Sequence, residues 1–149
     1  MNFVGPFPDE SAIVRLKDRA PILKIVGGVA DLRTALESQP RNAPAAYLLS
    51  EERGGPVKYM GVVAQQNVGV TIQVVLLVRS AAGENVGTGA RDLMTQVEAE
   101  VKAALFGWSP DDKFGQLSFQ AGRPEPFSAG WLARQLIFLT DYRMSQQVT

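Results

Sequence analysis

The chain has no cysteine and no histidine among its 149 residues. Without cysteine there is no disulfide framework, no thiolate nucleophile and no thiolate zinc site. Without histidine there is no Ser-His-Asp triad, and no imidazole to ligate a metal or act as a general base. An excess of charge is also lacking, since 15 Lys and Arg balance 15 Asp and Glu. A main role in binding nucleic acid needs a surplus of Lys and Arg, so this balance argues against one. Long hydrophobic runs are missing too. The longest apolar stretch, around Val68 to Val78, is interrupted by Thr71 and Gln73. It falls short of the roughly 20 apolar residues of a membrane-spanning helix. Met1 to Glu10 carries no basic residue followed by an apolar run, so it does not read as a secretory signal. Synthesis and folding in the cytoplasm are expected, which leaves the final location open, because a subunit built into a particle leaves with it.

What is present suits a globular domain. Hydrophobic residues make up 46% and charged residues 20%, an ordinary balance for a soluble fold. The length predicts one domain, residues 1–149, able to bury a sizeable core.

Local patterning predicts an alternating order. Asp9 is placed to N-cap a helix through about Arg19, with Ile13, Leu16 and Ala20 on one face and Pro21 ending it. Ile22 to Val26 reads as a short strand closed by Gly27-Gly28, and Asp31 to Ser38 as a two-turn helix with Leu32 and Leu36 at i,i+4. After a loop with Pro40 and Pro44, Ala45 to Leu49 reads as a second strand. Ser50 to Tyr59, with its Gly54-Gly55-Pro56 and its charges, predicts an exposed loop. From Met60 to Arg79 the chain is strongly β-like: Val68, Val70, Ile72, Val74, Leu76 and Val78 share one face. The opposite face turns apolar only at Val75 and Leu77, as expected of a strand entering a covered part of the sheet.

Ala90, Leu93, Met94, Val97, Val101, Ala104 and Leu105 follow the helical i, i+3, i+4, i+7 rule. Thr88 is a predicted N-cap, Gly107 a predicted left-handed C-terminal residue, and Glu98–Lys102 an i,i+4 ion pair. Gln116 to Gln120 and Trp131 to Tyr142 read as closing strands separated by the segment Gly122 to Pro126. The last strand is apolar on both faces at Leu136 to Leu139, which suits an interior position. The order predicts an α+β fold: one mixed, mostly antiparallel sheet of about four to five strands, with two to three helices on one face.

No catalytic constellation emerges. Asn85 to Arg91 superficially resembles a phosphate loop opening a helix, but it lacks the P-loop lysine and the third glycine of a dinucleotide fingerprint. The carboxylate pairs Glu51-Glu52, Asp111-Asp112 and Glu98-Glu100 read as solvated charge. No segment has the alternating acidic pattern of a calcium loop. No cofactor and no metal are therefore expected, and no enzyme. Trp108 reads mainly as packing, whereas Trp131 suits packing and interface equally. Arg53 and Lys58 beside Glu51 and Glu52 make a poor basic patch.

The residues Ala103-Ala104-Leu105-Phe106-Gly107-Trp108-Ser109-Pro110 resemble the "aaLxGWxP" signature of tail terminator-like proteins of long-tailed bacteriophages and prophages. Pro44 to Leu49 (PAAYLL) resembles that family's "PAAYVL" strand, and Leu117 to Arg123 its "LxFxGGR" segment, with Ala121 replacing a glycine. The N-terminal helix at Ala12 to Leu16, the segment Val26 to Leu32 and the Trp131 to Tyr142 strand match in order, so the resemblance covers nearly the whole chain. It implies a structural virion protein that caps the head-proximal end of the tail tube as a ring, usually hexameric. Such a ring ends tube polymerisation and forms part of the head–tail junction. Implied partners are further copies of the chain, the tail tube protein and a head–tail connector. DNA only passes through the lumen, and no membrane is involved.

The expected assembly residues are Glu51, Glu52, Arg53, Lys58, Trp108, Asp111, Asp112, Lys113, Arg123 and Trp131, carried by the Ser50 to Tyr59 loop, the turns around Trp108 to Lys113 and Gly122 to Gly130, and the start of the last strand. Deleting Glu52 to Pro56 is expected to leave the monomer folded. The rival readings are another neck or head-completion protein of the same virion and, more distantly, a small ligand-binding module.

Overall fold

The structure is a computed structural model and describes residues 4–79 and 88–148, with Thr88 described in its backbone alone. Eight elements occur along the chain: α1 (Asp9–Arg19), β1 (Ile25–Gly27), α2 (Val29–Ser38), β2 (Ala45–Met60), β3 (Val63–Arg79), α3 (Thr88–Leu105), β4 (Ser118–Pro124) and β5 (Trp131–Gln147). The strands form one sheet in the order β1-β2-β3-β5-β4. β1 runs parallel to β2, and every other pairing is antiparallel. This is the mixed α+β sheet that the sequence predicts.

The period of two along β3 decides the layering. Val68, Val70, Ile72, Val74, Leu76 and Val78 are buried together with Leu136 and Phe138 of β5 under α1 and α3. α3 contributes Ala90, Met94, Val97, Val101, Ala104 and Leu105, which are the buried members of the predicted stripe. Gly107, at φ +77°, closes that helix in the left-handed conformation, as predicted. The opposite face carries a smaller cluster of Ala45, Tyr47, Val75, Leu77 and Ala133, covered by Ala35 and Leu32 of α2 and by Phe127 and Trp131. Two helices thus share one face, and the third caps only the upper end of the other.

Several local expectations are corrected. Asp9 lies inside the first turn of α1 rather than capping it, because its carboxylate accepts the Ser50 hydroxyl at 2.5 Å. α2 starts two residues early: Asp31 reaches back to accept the Gly28 N–H at 3.0 Å, and Leu36 faces solvent. β1 is shorter than the predicted Ile22 to Val26 strand, Lys24 instead donating its N–H to the Pro44 carbonyl at 2.7 Å. Glu98 accepts from the Arg134 guanidinium at 3.3 Å, while the Lys102 ammonium sits 4.7 Å from the Phe119 ring centre; their i,i+4 pair does not form. Gly122 to Pro124 belong to β4, where they pair with Leu136 to Arg134, so the predicted separator starts later. The phosphate-loop look-alike at Asn85 to Gly87 lies outside the described residues, as does the side chain of the predicted cap Thr88.

Candidate functional site: the sheet arm and its root

The largest departure from the sequence reading is Ser50 to Tyr59, which is the second half of β2 and not a loop. Pairing with β3 supplies the hydrogen bonds that the composition alone did not promise. The register shifts between Gly54 and Val57, a bulge that absorbs Pro56, which has no amide to give to the ladder. The hairpin reverses at Gly61 (φ +61°). β3 spans 17 residues, about 55 Å at ~3.3 Å per residue. β5 runs alongside to Gln147, five residues past the predicted end at Tyr142.

The lower parts of β2, β3 and β5 therefore form a three-stranded arm beyond the helices. On the helix side of the sheet, burial stops at Val68 and Tyr142. Past that point the same face carries Val57, Tyr59, Ala64 and Met144, which line a groove of about 270 Å³. Val57, Tyr59, Met60 and Val62 are 44%, 71%, 57% and 58% exposed; they lie along the last residues of the hairpin, with Val57 and Tyr59 on this face and Met60 on the other. Apolar side chains concentrated in this way are what an interaction surface looks like. The opposite face of the arm is polar, with Lys58, Gln65, Asn67 and Arg143. Above it, Arg53, Gly69, Thr71, Ser118 and Asp141 line an open cleft of about 610 Å³.

The arm is anchored at its root. Strand alternation sends Glu51 and Glu52 to opposite faces, so the adjacent acids have different fates. Glu52 turns to the helix side, where one carboxylate oxygen accepts the Phe7 N–H at 2.9 Å and the other the Tyr142 hydroxyl at 3.1 Å. Phe7 is buried and packs edge-on against Phe114, which in turn packs edge-on against Tyr142, at centroid distances of 5.5 and 5.2 Å. Residues 4–8 thus strap the base of the arm to the turn after α3. Burial pushes the Asp9 carboxyl above its ordinary range; the Glu52 charge adds to this and the Ser50 hydrogen bond opposes it. Burial also raises the Tyr142 hydroxyl, with further contributions from the hydrogen bond to Glu52 and its charge.

The expected assembly residues separate into groups. Glu51, Arg53 and Lys58 are exposed on β2, and Glu52, though exposed as well, is a structural acceptor at the root. Trp108 is half-buried against the core, with the Arg15 guanidinium 5.8 Å from its ring centre and Arg15 Nε donating to the Ala104 carbonyl at 2.8 Å. It is a packing residue that closes α3 onto α1. Asp111 accepts the Lys113 N–H at 2.8 Å in a local turn, and Asp111, Asp112 and Lys113 are exposed there. Arg123 is exposed on β4, at the sheet's edge. Trp131 packs edge-on against Phe127 at 5.6 Å, with the Arg79 guanidinium 5.5 Å from its ring centre.

The structure gathers Glu51, Arg53 and Lys58 on one strand, but leaves the other residues on separate turns and edges. Sequence reasoning named neither the apolar tip nor Asp141 and Arg143. The signal for the tip was the placement of Tyr59, Met60 and Val62 around Gly61, between two stretches able to pair. The Glu52 to Pro56 deletion is also revised: it removes the Glu52 acceptor at the root and shifts the rest of β2 four positions along β3, from Val57 opposite Gln66 to Val57 opposite Val70.

Among the described residues no cluster of three or more metal-ligating side chains comes together. No described helix is long and apolar enough to cross a membrane. The arrangement offers surfaces. Residues 2–148 match the family described as phage tail terminator protein. The chain belongs to the phage tail terminator family. No curated protein matches it closely enough to count as a relative. Membership gives this terminator-family chain a structural role associated with the phage tail, which agrees with a fold whose distinctive feature is a projecting sheet.

Proposed function

We propose that the chain caps the head-proximal end of the tail tube as a hexameric ring, stops tube polymerisation and presents the surface to which the head connector joins. The observation that carries this reading is the arm, with Val57, Tyr59, Met60 and Val62 exposed at its tip. A closed cyclic ring needs two different patches on each subunit, and a cap needs a third surface facing the tube. The tip supplies an apolar surface for the last ring of tube subunits. The exposed turn at Asp111 to Lys113, together with Arg123 on β4, is available to the connector. DNA passes through the lumen without being read.

Replacing Tyr59 and Val62 by serine tests the role of the tip. The monomer should keep its thermal midpoint, because neither side chain is buried, while incorporation at tail ends falls. Normal incorporation would refute the assignment of the tip. Micrographs of particles made without the chain test termination itself. Abnormally long tails support it, whereas normal-length tails without heads favour a neck protein.

A further inference from the structure

Resting on the ring reading above, we propose that neighbouring copies join through their arms. The outer edge of β2 in one copy pairs in parallel with the outer edge of β5 in the next, and Arg53 of the first lies beside Asp141 of the second.

Strand accounting comes first. β1 covers the outer side of β2 only at Ala45, Ala46 and Tyr47. Among the described residues no strand lies on that side further along β2. On the other side of the sheet β4 reaches only Leu139, and the last backbone bond there is Gly115 N–H to the Asp141 carbonyl at 2.9 Å. From Tyr142 to Gln147, β5 has no outer partner among the described residues. The arm is thus a ribbon with both edges open, the kind of edge that recruits another strand.

These edges are also level. Gln66 is registered with Val57 on one side and Met144 on the other; Ala64 likewise with Tyr59 and Gln146, and Gly69 with Arg53 and Asp141. Rotation alone, with no slide along the strands, brings one edge against the other. A join of two different edges of this kind closes into a ring when the rotation between copies completes a full turn. Both strands are antiparallel to β3, so the new pair is parallel.

Side chains at matching levels are compatible on both faces. On the helix side Met144 of one copy meets Val57 of the next, extending the apolar row across the junction. On the other face Asp141, one residue short of the open edge and with its carbonyl held by Gly115, is level with Arg53, so only their side chains meet there; both line the same cleft, separated within one chain by Gly69, which has no side chain. Arg143 meets the Gly55-Pro56 bulge and is not placed opposite a cation. Pro56 and the bulge interrupt the β2 edge, which discourages indiscriminate strand pairing, so the join is weak until the tube aligns the copies.

The natural absence of cysteine makes the test clean. Within one chain Val57 and Met144 are two strand spacings apart, about 9.6 Å. A disulfide spans roughly 4.4–6.8 Å between Cα atoms, so a V57C/M144C chain cannot bridge internally in this fold, whereas paired edges of neighbouring copies can bridge. Oxidised tails carrying V57C/M144C should yield a ladder of multimers on a non-reducing gel, and V57C or M144C alone should not. Arg53→Asp should lower ring formation at least about tenfold, and adding Asp141→Lys should largely restore it. Tails of normal length without such cross-links, or bridges to the tube protein in place of a second copy, would overturn the edge pairing and leave the terminator reading intact. Normal tails in particles lacking the chain would overturn the terminator reading itself.

Discussion

Removing the Glu52 carboxylate separates two neighbouring residues of nearly identical sequence context. Glu52→Ala deletes the acceptor for the Phe7 N–H and for the Tyr142 hydroxyl, at 2.9 and 3.1 Å. Hydrogen bonds to charged groups contribute about 1.5–3 kcal/mol each when their partners stay buried. Here the strap lies at the protein surface and water can replace part of the loss, so about 2 kcal/mol in total is expected. For a chain of this size ~1 kcal/mol corresponds to about 2–4 °C, giving a fall in thermal midpoint of roughly 4–8 °C. Glu52→Gln retains an acceptor for Phe7 and places an amide donor opposite the Tyr142 oxygen, so it should recover most of that. Glu51→Ala, on the other face and with no hydrogen-bond or ion-pair partner among the described residues, should change stability by less than about 0.5 kcal/mol. Thermal unfolding followed by circular dichroism reads all three variants. Equal effects of Glu51→Ala and Glu52→Ala would refute the alternation and the root anchoring together.

Three further outcomes are expected. Burial raises the folded pKa of Asp9, so the neutral acid is favoured in the fold; its contribution is fully present below the ordinary carboxylate range and is lost as pH rises through the raised folded value. The midpoint of the natural chain, relative to Asp9→Asn, should therefore fall as pH rises through and above the ordinary carboxylate range, and a relative gain would contradict the burial argument. Gly107→Ala places a side chain at φ +77° with nothing within 4 Å, so the loss of about 1–2 kcal/mol in denaturant melts should be conformational only; a neutral substitution would contradict the left-handed cap. Duplex DNA should bind weakly and non-specifically even at low salt, because the chain has no cationic surplus; sub-micromolar binding at physiological salt would contradict this.

Legibility in the sequence followed burial. β3 and α3 were readable because one covered face enforces a period of two or of 3.6, and the pattern from Val68 to Val78 maps residue for residue onto the large core cluster. The closing motif at Gly107 was readable because a left-handed residue leaves a local chemical mark. The arm was not. From Arg53 to Met60 no core imposes a pattern, and Gly54, Gly55 and Pro56 are poor strand formers held in place by β3 and β5. Tertiary pairing there overrides local propensity. The hydrogen bonds of Asp9 and Glu52 were not legible for a related reason: their partners, Ser50, Phe7 and Tyr142, are remote in sequence. The assembly residues chosen from charge and turn signals consequently included a root anchor and a packing tryptophan, and missed the apolar tip.

The central claim is that this chain ends tube growth, and it is tested most directly by adding the purified protein to tail tubes elongating in vitro. Tube length is then followed by electron microscopy. The account predicts that elongation stops at one tube end once that end is occupied, with rings visible there, and that the Tyr59 and Val62 serine variant fails to stop it. Tubes that keep lengthening at the same rate with the natural chain present would contradict it.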